Sequence, residues 1–579
     1  MMAIDPVTLA ILKGRLEQIA DEMDATLFRS AFNPIIAEAH DASHGIYDAQ
    51  TGDTLVQGKS GLPIFVGVMA FAVKAVIDKA TAQGGLNEGD VWIFNDPYVG
   101  GTHLSDFRLV KPIFRDGKVF CFLASVGHWH DVGGNVPGNY NPAATECFQE
   151  GMLIPPVKLY DKGVYRSDVV DILSANSRLP LSLYGDLNGQ INALDLGEKR
   201  MKALLDEYGD AVLADSLGEL KSRAADMMRA QISGLPEGTV SAEDFLDNDG
   251  IKDEPLKIAL DLTIENGRMV MDFTRSSPAC AGPVNISRAT TIAACYVALK
   301  HIFGDVPANA GVLEPVDFKI DDDSLLSVKA PKPVGGYTET IMRLIDVVFQ
   351  AISQLAPKDA MAPAYGTINA LSLAGHRADG KRWVMFSFFG GGHGAHAGGD
   401  GLNHGNAPIS TATIPPLEIL ESAYPVRFTQ WALRPDSGGP GTTRGGLGAI
   451  YEIELLEQEA DVFLFGERGK FAPKGILGGG DAALNRFTYK QSDGDHTPPM
   501  TSKMIGIHIE RGQKLKLQTP GGGGYGDPHL RDPEAVARDL ALGYITPDAA
   551  TRDFAVAIAA DGSIDMTKTA DLRRQEAAE

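Results

Sequence analysis

The stretch DVWIFNDPYVGGTHLSD, from Asp90 to Asp106, decides how the first part of this chain folds. A short apolar run bounded by turn residues predicts a strand, and the Asn-Asp-Pro and Gly-Gly pairs after it predict a turn. The glycines also allow the backbone to approach a ligand closely. His103 and Asp106 then follow three residues apart. The segment therefore combines a strand, a turn and two candidate ligand side chains.

Two further segments add side chains of the same chemistry. KVFCFLASVGHWHD, which ends at Asp131, predicts a long strand, and alternate residues of a strand share a face, so His128 and His130 can point the same way. AEAHDASHG contributes Asp41 and His44. Imidazole and carboxylate ligands without thiolate suit zinc, manganese or iron(II). The alternative from the residues alone is that these are turn and capping residues.

The remaining sequence predicts a mixed α/β (α+β) fold, because helical and strand patterns alternate irregularly. Asp5-Pro6 predicts the start of a helix, and residues 189–234 are strongly helical. A chain of 579 residues exceeds the size of one hydrophobic core, so several subdomains are expected. We predict an N-terminal α/β region with the metal site at 1–235, a C-terminal α/β region with Gly-rich loops at 236–530, and a helical tail at 531–579.

Composition restricts the classes of function. The formal net charge is -23, which argues against nucleic acid and anionic membrane surfaces as partners. No long apolar run predicts a transmembrane helix, and the N-terminus lacks the pattern of a signal peptide. The four cysteines show no CxxC spacing, so a disulfide framework is not expected. These features predict a cytoplasmic protein.

A second polar cluster lies in GGGHGAHAGGDGLNH and contains His393, His396, Asp400 and His404. Three histidines can bind a metal, but the glycines between them predict a flexible loop, which is a costly place for a preorganised site. We favour a substrate-binding or closing loop over a second metal site. TPGGGGYGDP, residues 519–528, is open to two interpretations, a backbone nest for an anion or a structural crossing of turns.

These stretches together resemble the hydantoinase B family. The family comprises the B subunits of ATP-dependent N-methylhydantoinase, oxoprolinase and caprolactamase, and related subunits of acetone and acetophenone carboxylases. The resemblance runs nearly end to end and in the same order; it is carried by DPVTLAILKGRLEQIADEM, FNDPYVGGTHLSD, GHWHDVGG, CFQEGMLIPPVKL, GPVNISRATT, DSGGPGTTRGGLG and TPGGGGYGDP.

The resemblance implies a hydantoinase B-like fold with a mononuclear metal site. By motif its ligands fall on Asp41, His103, Asp106 and His128. This chain departs from the family pattern around the first ligand, with His-Asp-Ala-Ser where the family usually has Ser-Asp-Phe-Ser. His130 and Asp131 are then expected to assist catalysis by orienting a ligand or transferring protons.

The resemblance also implies cofactors and a partner. One divalent metal ion is expected, with zinc preferred over manganese or iron, while ATP and Mg²⁺ bind to a hydantoinase A-type ATPase subunit in an α2β2 hetero-oligomer. The function implied is ATP-dependent hydrolysis of a cyclic amide, in which the A-type partner activates the amide oxygen of a lactam or hydantoin. The alternatives are a subunit of an acetone- or acetophenone-type ketone carboxylase and a non-catalytic structural subunit.

Overall fold

The computed structural model describes residues 4–406, 408–410, 413–559 and 561–576. Within them the chain is a mixed α/β fold of the α+β kind. The helices are α1 (Pro6–Ser30), α2 (Pro34–Ala37), α3 (Pro63–Ala82), α4 (Ser167–Ala175), α5 (Pro180–Tyr208), α6 (Asp210–Ser233), α7 (Arg288–Ile302), α8 (Tyr337–Leu355), α9 (Leu417–Ala423), α10 (Pro533–Ala541), α11 (Pro547–Phe554) and α12 (Met566–Glu576).

The strands form four sheets. Their bounds are β1 (Ala42–Asp48), β2 (Thr54–Gln57), β3 (Val91–Phe94), β4 (Asp106–Arg115), β5 (Lys118–His128), β6 (Val157–Asp161), β7 (Val164–Tyr165), β8 (Gly238–Leu246), β9 (Leu256–Glu265), β10 (Arg268–Asp272), β11 (Val316–Lys319), β12 (Ala370–His376), β13 (Arg382–Ser387), β14 (Val426–Leu433), β15 (Ala449–Leu455), β16 (Glu459–Phe465), β17 (Arg486–Gln491), β18 (Gly494–His496), β19 (Lys503–Glu510) and β20 (Lys514–Gln518). The strand orders are β2-β1-β5-β4-β3-β6-β7, β11-β10-β9-β8, β13-β12-β16-β19 and β14-β15-β20-β17-β18.

The chain contacts divide it into two compact units of interleaved segments. The first unit comprises Met1–Thr239, Leu260–Ile341 and Ile409–Pro416, and the second comprises Val240–Ala259, Met342–Pro408 and Leu417–Glu579. The subdomain borders expected after residues 235 and 530 remain predictions.

In the first unit, the seven-stranded antiparallel sheet is covered by helices whose apolar faces the sequence predicts. Asp5 caps α1 by accepting a hydrogen bond of 2.9 Å from the backbone N of Thr8, as predicted. The apolar residues of α1 that recur every three or four positions are buried, and α1 packs against α5. The helical stretch at 189–234 is two helices, because Gly209, at φ 84°, separates α5 from α6.

In the second unit, glycines allow the backbone to pack directly on other backbone. A β-carbon at Gly394 would lie 1.7 Å from the Ala362 carbonyl oxygen, and one at Gly445 would lie 1.8 Å from that of Gly522. The segments exchange backbone hydrogen bonds, such as Gly522 N to the Gly446 carbonyl at 3.0 Å. The segment around residues 390–405, for which a flexible loop was expected, is thus packed on other backbone, and TPGGGGYGDP crosses it through such contacts.

After residue 530 the chain forms the helices α10, α11 and α12. The apolar residues of this tail form a small core of their own; its buried members are Val536, Ile545, Ala549, Ala550, Phe554 and Val556. None of the helices in the described part of the chain is both long enough and apolar enough to span a bilayer.

Candidate metal centre

Three side chains converge where two neighbouring strands meet. Asp106 begins β4 and His128 ends β5, and the antiparallel register places them opposite each other. Asp106 Oδ1 lies 3.1 Å from His103 Nε2 and 3.3 Å from His128 Nδ1. Potential ligand atoms of these three residues all lie within 4.8 Å of one another. In the described ranges, no other set of three or more His, Cys, Asp or Glu side chains is grouped in this way.

The turn after β3 determines where His103 lies. The Asp96 side chain caps the short 3₁₀ helix Pro97–Val99 by accepting a hydrogen bond of 2.9 Å from the backbone N of Tyr98. Gly100 follows at φ 124°, a conformation that L residues with side chains rarely adopt. The sequence thus needs glycine here for the chain to reverse and enter the segment of His103.

Asn95 then holds the returning segment in place. Its side-chain nitrogen donates to the carbonyls of Leu104 at 2.7 Å and Met152 at 2.8 Å, and its oxygen accepts from the backbone N of Ile154 at 2.7 Å. Asn95 is fully buried, so these hydrogen bonds are protected from competition by water. The residue next to His103 is therefore anchored to the sheet.

Asp41 lies beside the group of three and outside it. It follows α2 through His40, which adopts a left-handed φ of 60°. The Asp41 carbonyl accepts a hydrogen bond of 3.1 Å from the backbone N of His128, and Asp41 Oδ2 lies 4.0 Å from His128 Nδ1. The neighbouring position agrees with a ligand role for Asp41, which stays a prediction.

The carboxylates of the site have opposite protonation tendencies. Burial alone would raise the pKa of Asp106, but the neighbouring His103 and His128 outweigh burial and hold the pKa well below its usual range. Burial raises the pKa of Asp41 to about 7, against the attraction of His128. Asp106 is therefore an anion in this environment, while Asp41 exchanges its proton near neutral pH.

Two tyrosines, which the sequence analysis did not select, line the same site. The ring centroid of His103 lies 4.8 Å from that of Tyr337 and 5.5 Å from that of Tyr140. Burial raises the pKa of both phenols, so both keep their protons. The signal that could have found Tyr337 is the Gly-Gly pair before it, since the residue opens α8 directly after a glycine turn.

Glu150 supports the turn that precedes Tyr337. Its two carboxylate oxygens accept hydrogen bonds from the backbone N of Val334 at 3.0 Å and of Gly335 at 2.6 Å. Glu150 is buried, and burial raises its pKa to about 8 in spite of these two donors. Because this turn leads directly into α8, Glu150 fixes the place from which Tyr337 reaches His103.

The residues of the group suit a divalent cation. Asp106 Oδ1 and His103 Nε2 are buried and make no well-aligned hydrogen bond to another described group, although they lie close together. Buried polar atoms of this kind are normally satisfied by a hydrogen bond or an ion. Two imidazoles and a carboxylate are nitrogen and oxygen donors that zinc, manganese and iron(II) all accept.

Comparison with known proteins places the chain in a family. The profile of the hydantoinase B/oxoprolinase family matches residues 5–528. The chain belongs to this family. Within the hydantoinase B family, the beta chain of caprolactamase from Pseudomonas jessenii is 31% identical over 583 residues, which cover 98% of this chain and 99% of that one. A putative D-/L-hydantoinase B subunit of Pseudomonas sp. (strain NS671) is 29% identical over 585 residues, covering 99% and 98%.

Solved structures share the hydantoinase B-like fold. The crystal structure of ATP-dependent caprolactamase from Pseudomonas jessenii has a TM-score of 0.88 at 30% identity, covering 99% of this chain and 100% of that one. Nucleotide-free acetone carboxylase has a TM-score of 0.90 at 20% identity, covering 99% and 83%. The second likeness is one of fold alone, because the identity is low. The mixed α/β, hydantoinase B-like fold that the motifs predicted is thus confirmed.

The two residues predicted to assist catalysis lie just beyond the group in this hydantoinase B chain. β5 ends at His128, so the strand alternation that would align His130 with it does not continue. His130 is buried and is not one of the three grouped ligands. Asp131 accepts hydrogen bonds from the backbone N of Arg178 at 2.9 Å and from its guanidinium at 3.1 Å. Their catalytic roles stay predictions, and the contacts of Asp131 favour a positioning role.

His44, which the sequence analysis considered together with Asp41, belongs to a different buried cluster. Its Nδ1 lies 2.7 Å from Asp24 Oδ1, and its Nε2 lies 2.9 Å from Ser125 Oγ. Gln190 donates to the same Ser125 hydroxyl at 3.2 Å. These contacts link α1, β1, β5 and α5 in the core, and His44 and Asp24 are almost completely buried. The arrangement is structural, because both ring nitrogens of His44 are engaged by core residues that lie outside the grouped ligands.

The histidines of the Gly-rich segment do not converge. His404 contacts the Tyr451 hydroxyl and lies 3.2 Å from Trp431 Nε1, whereas His396 is exposed. The carboxylate of Asp400 is held by Arg531 through two hydrogen bonds of 2.7 Å. Within the described residues these side chains form no metal-binding group. The role favoured for this segment, a substrate-binding or closing loop, stays a prediction.

Proposed function

We propose that this chain is the metal-bearing B-type component of an ATP-dependent enzyme that opens the ring of a cyclic amide. The observation that carries the proposal is the convergence of His103, Asp106 and His128 at the end of two adjacent strands. The relatives named as hydantoinase and caprolactamase subunits, which match over nearly their full length, support the class of reaction.

The proposed ligand set comprises the three grouped residues and Asp41. Asp106 is anionic in its surroundings, which suits a ligand to a cation. A divalent cation held here, with zinc preferred over manganese or iron, would supply Lewis acidity at the reacting centre. Asp41, at 4.0 Å from His128, would bind the cation as a carboxylate, so binding would release the proton that burial favours in the free chain.

The surrounding residues shape the site. The rings of Tyr140 and Tyr337 contact that of His103 and limit the access of water. Both phenols retain their protons, so each can donate a hydrogen bond to the carbonyl oxygen of a cyclic amide. In this proposal His130 transfers protons, while Asp131, through its contacts with Arg178, holds the segment that carries His130.

The proposal requires a partner. An unstrained amide is a poor electrophile, so the partner, a hydantoinase A-type subunit with ATP and Mg²⁺, is expected to activate the amide oxygen. We propose an α2β2 assembly, since the relatives are named as subunits of larger enzymes. The four cysteines are all buried free thiols, which supports a reducing, cytoplasmic location.

The test is reconstitution with a hydantoinase A-type partner. We expect ATP-dependent ring opening of one of 5-oxoproline, hydantoin or caprolactam, and we expect it to require both chains. Labelled bicarbonate distinguishes the carboxylase reaction, because its incorporation into product without ring opening would contradict the proposal. Hydrolysis by the A-type partner in the absence of this chain would indicate a structural role instead.

A further inference from the structure

Arg108 is a fully buried cation beside the proposed metal centre. It lies on β4, two residues after Asp106, and its side chain is inaccessible to solvent. Within the described residues no carboxylate lies within 4 Å of its guanidinium, and Nε and Nη1 have no hydrogen-bond partner. A buried cation without a direct counter-ion is costly, so the groups around Arg108 have to compensate for its charge.

The chain makes room for this guanidinium at one position. A β-carbon at Gly101 would lie 2.7 Å from Nη1 of Arg108, so glycine is needed there. The Gly101 carbonyl is in turn fixed by hydrogen bonds from Ser287 at 3.2 Å and Thr290 at 2.8 Å, at the start of α7. The Phe94 ring lies 6.0 Å from the guanidinium carbon. The surroundings therefore hold Arg108 in one place.

One hydroxyl connects Arg108 to the metal centre. Arg108 Nη2 donates to Thr102 Oγ1 at 2.9 Å, and Thr102 Oγ1 contacts Asp106 Oδ2 at hydrogen-bonding distance. A guanidinium can only donate, so it occupies a lone pair of the threonine oxygen. The single hydroxyl hydrogen is then left for Asp106. Both hydrogen bonds therefore run in one direction, from Arg108 to Thr102 and from Thr102 to Asp106. We call these two hydrogen bonds the relay.

The relay assigns different tasks to the two oxygens of Asp106. Oδ2 is taken by Thr102, whereas Oδ1 faces His103 Nε2 at 3.1 Å and His128 Nδ1 at 3.3 Å. We propose that Thr102 and Arg108 are positioning residues, which hold the Asp106 carboxylate so that it presents a single oxygen to a divalent cation. This inference rests on the proposed metal centre and concerns residues that do not touch the cation themselves.

The test compares metal binding by full-length variants. Thr102→Val removes the hydroxyl at nearly constant volume, Thr102→Ser retains it, and Arg108→Met removes the donor. Thr291→Val is the matched control, because it removes another buried threonine hydroxyl, which donates to the Leu326 carbonyl at 2.6 Å. Zn²⁺ affinity is measured by competition with a chelator, and the Mn²⁺-loaded proteins are compared by electron paramagnetic resonance.

We expect Thr102→Val to weaken Zn²⁺ binding about 10- to 100-fold, as loss of other partners of metal ligands does, and Arg108→Met to weaken it several-fold. Thr102→Ser and Thr291→Val should bind as the wild type does. The Mn²⁺ spectrum should change only in Thr102→Val and Arg108→Met, which a loss of stability alone would not produce. Unchanged affinity and spectrum in folded Thr102→Val would overturn the relay while leaving the metal centre intact. A wild-type chain that binds neither metal would overturn both.

Discussion

Two regions of this molecule contain histidine, aspartate and paired glycines, yet they are built in different ways. In the region of His103 and His128, two strand ends bring the side chains together, and glycine provides one tight turn and space for one guanidinium. In the region of His393 and His404, glycines pack backbone on backbone, and the histidines have separate surroundings.

The difference shows that strand register, and not local composition, makes a candidate site. His103 and Asp106 lie close in the sequence, but His128 reaches them only because β4 and β5 pair with Asp106 opposite His128. In the Gly-rich region no pair of strands provides such an alignment among the described residues, and polar side chains satisfy one another, as Asp400 does with Arg531.

The largest difference between the two regions should appear when a histidine is replaced in each of them. Replacement of His103 or His128 by alanine should abolish stoichiometric metal binding and lower activity by more than about 100-fold, beyond the range for residues that only support a ligand. His396→Ala should retain both, because its side chain is exposed and outside the group. Metal content is measured by mass spectrometry after dialysis. Full occupancy in both alanine variants of the first region would contradict the assignment.

Adding a side chain to a closely packed glycine should destabilise the second region selectively. Gly394→Ala should lower the free energy of unfolding by about 4 kcal/mol, since its β-carbon would lie 1.7 Å from the Ala362 carbonyl oxygen. Gly218→Ala is the control, because Gly218 is exposed in α6 with no atom within 4 Å of a new β-carbon. That substitution should stabilise the chain by up to about 1 kcal/mol. Urea denaturation measures the free energy of unfolding of both variants and of the wild type. Equal values for Gly394→Ala and the wild type would refute close backbone packing at Gly394.

A smaller effect should appear as a pH dependence. The first region is supported by Glu150, which titrates, whereas backbone contacts between glycines do not. Burial raises the pKa of Glu150 to about 8, above its ordinary 4.5, so the folded chain keeps a proton that the unfolded chain loses. Its contribution is complete below pH 4.5 and is lost as the pH rises toward 8.

Glu150→Gln removes this titration. The wild type should lose about 3 to 4 kcal/mol of stability relative to the glutamine variant between about pH 5 and about pH 8.5. Thermal unfolding at the two pH values measures the difference, and Glu534→Gln, at an exposed position of α10, is the control. Parallel pH profiles for the wild type and Glu150→Gln would show that Glu150 is ionised in the folded chain.

Much of the fold could be predicted from local patterns. The cap of α1 at Asp5, the hairpin of β1 and β2, and the strand that runs into the turn at Asn95 all follow from residues close together in the sequence. The backbone packing of the Gly-rich segments was not predicted, because glycine permits close packing as readily as it permits motion. Tyr337 was missed because it lies far from His103 along the chain and has no typical ligand chemistry.

By itself, the sequence determined the family, the fold class and the types of side chain that a metal centre needs, because motifs and periodicity are local properties. Only the tertiary structure decided which of those side chains meet. It paired Asp106 with His128, left Asp41 at the edge of the group, directed His44 into the core and engaged Asp131 with Arg178. The physical reason is that strand register and buried hydrogen bonds connect residues far apart in the chain, which spacing along one segment does not specify.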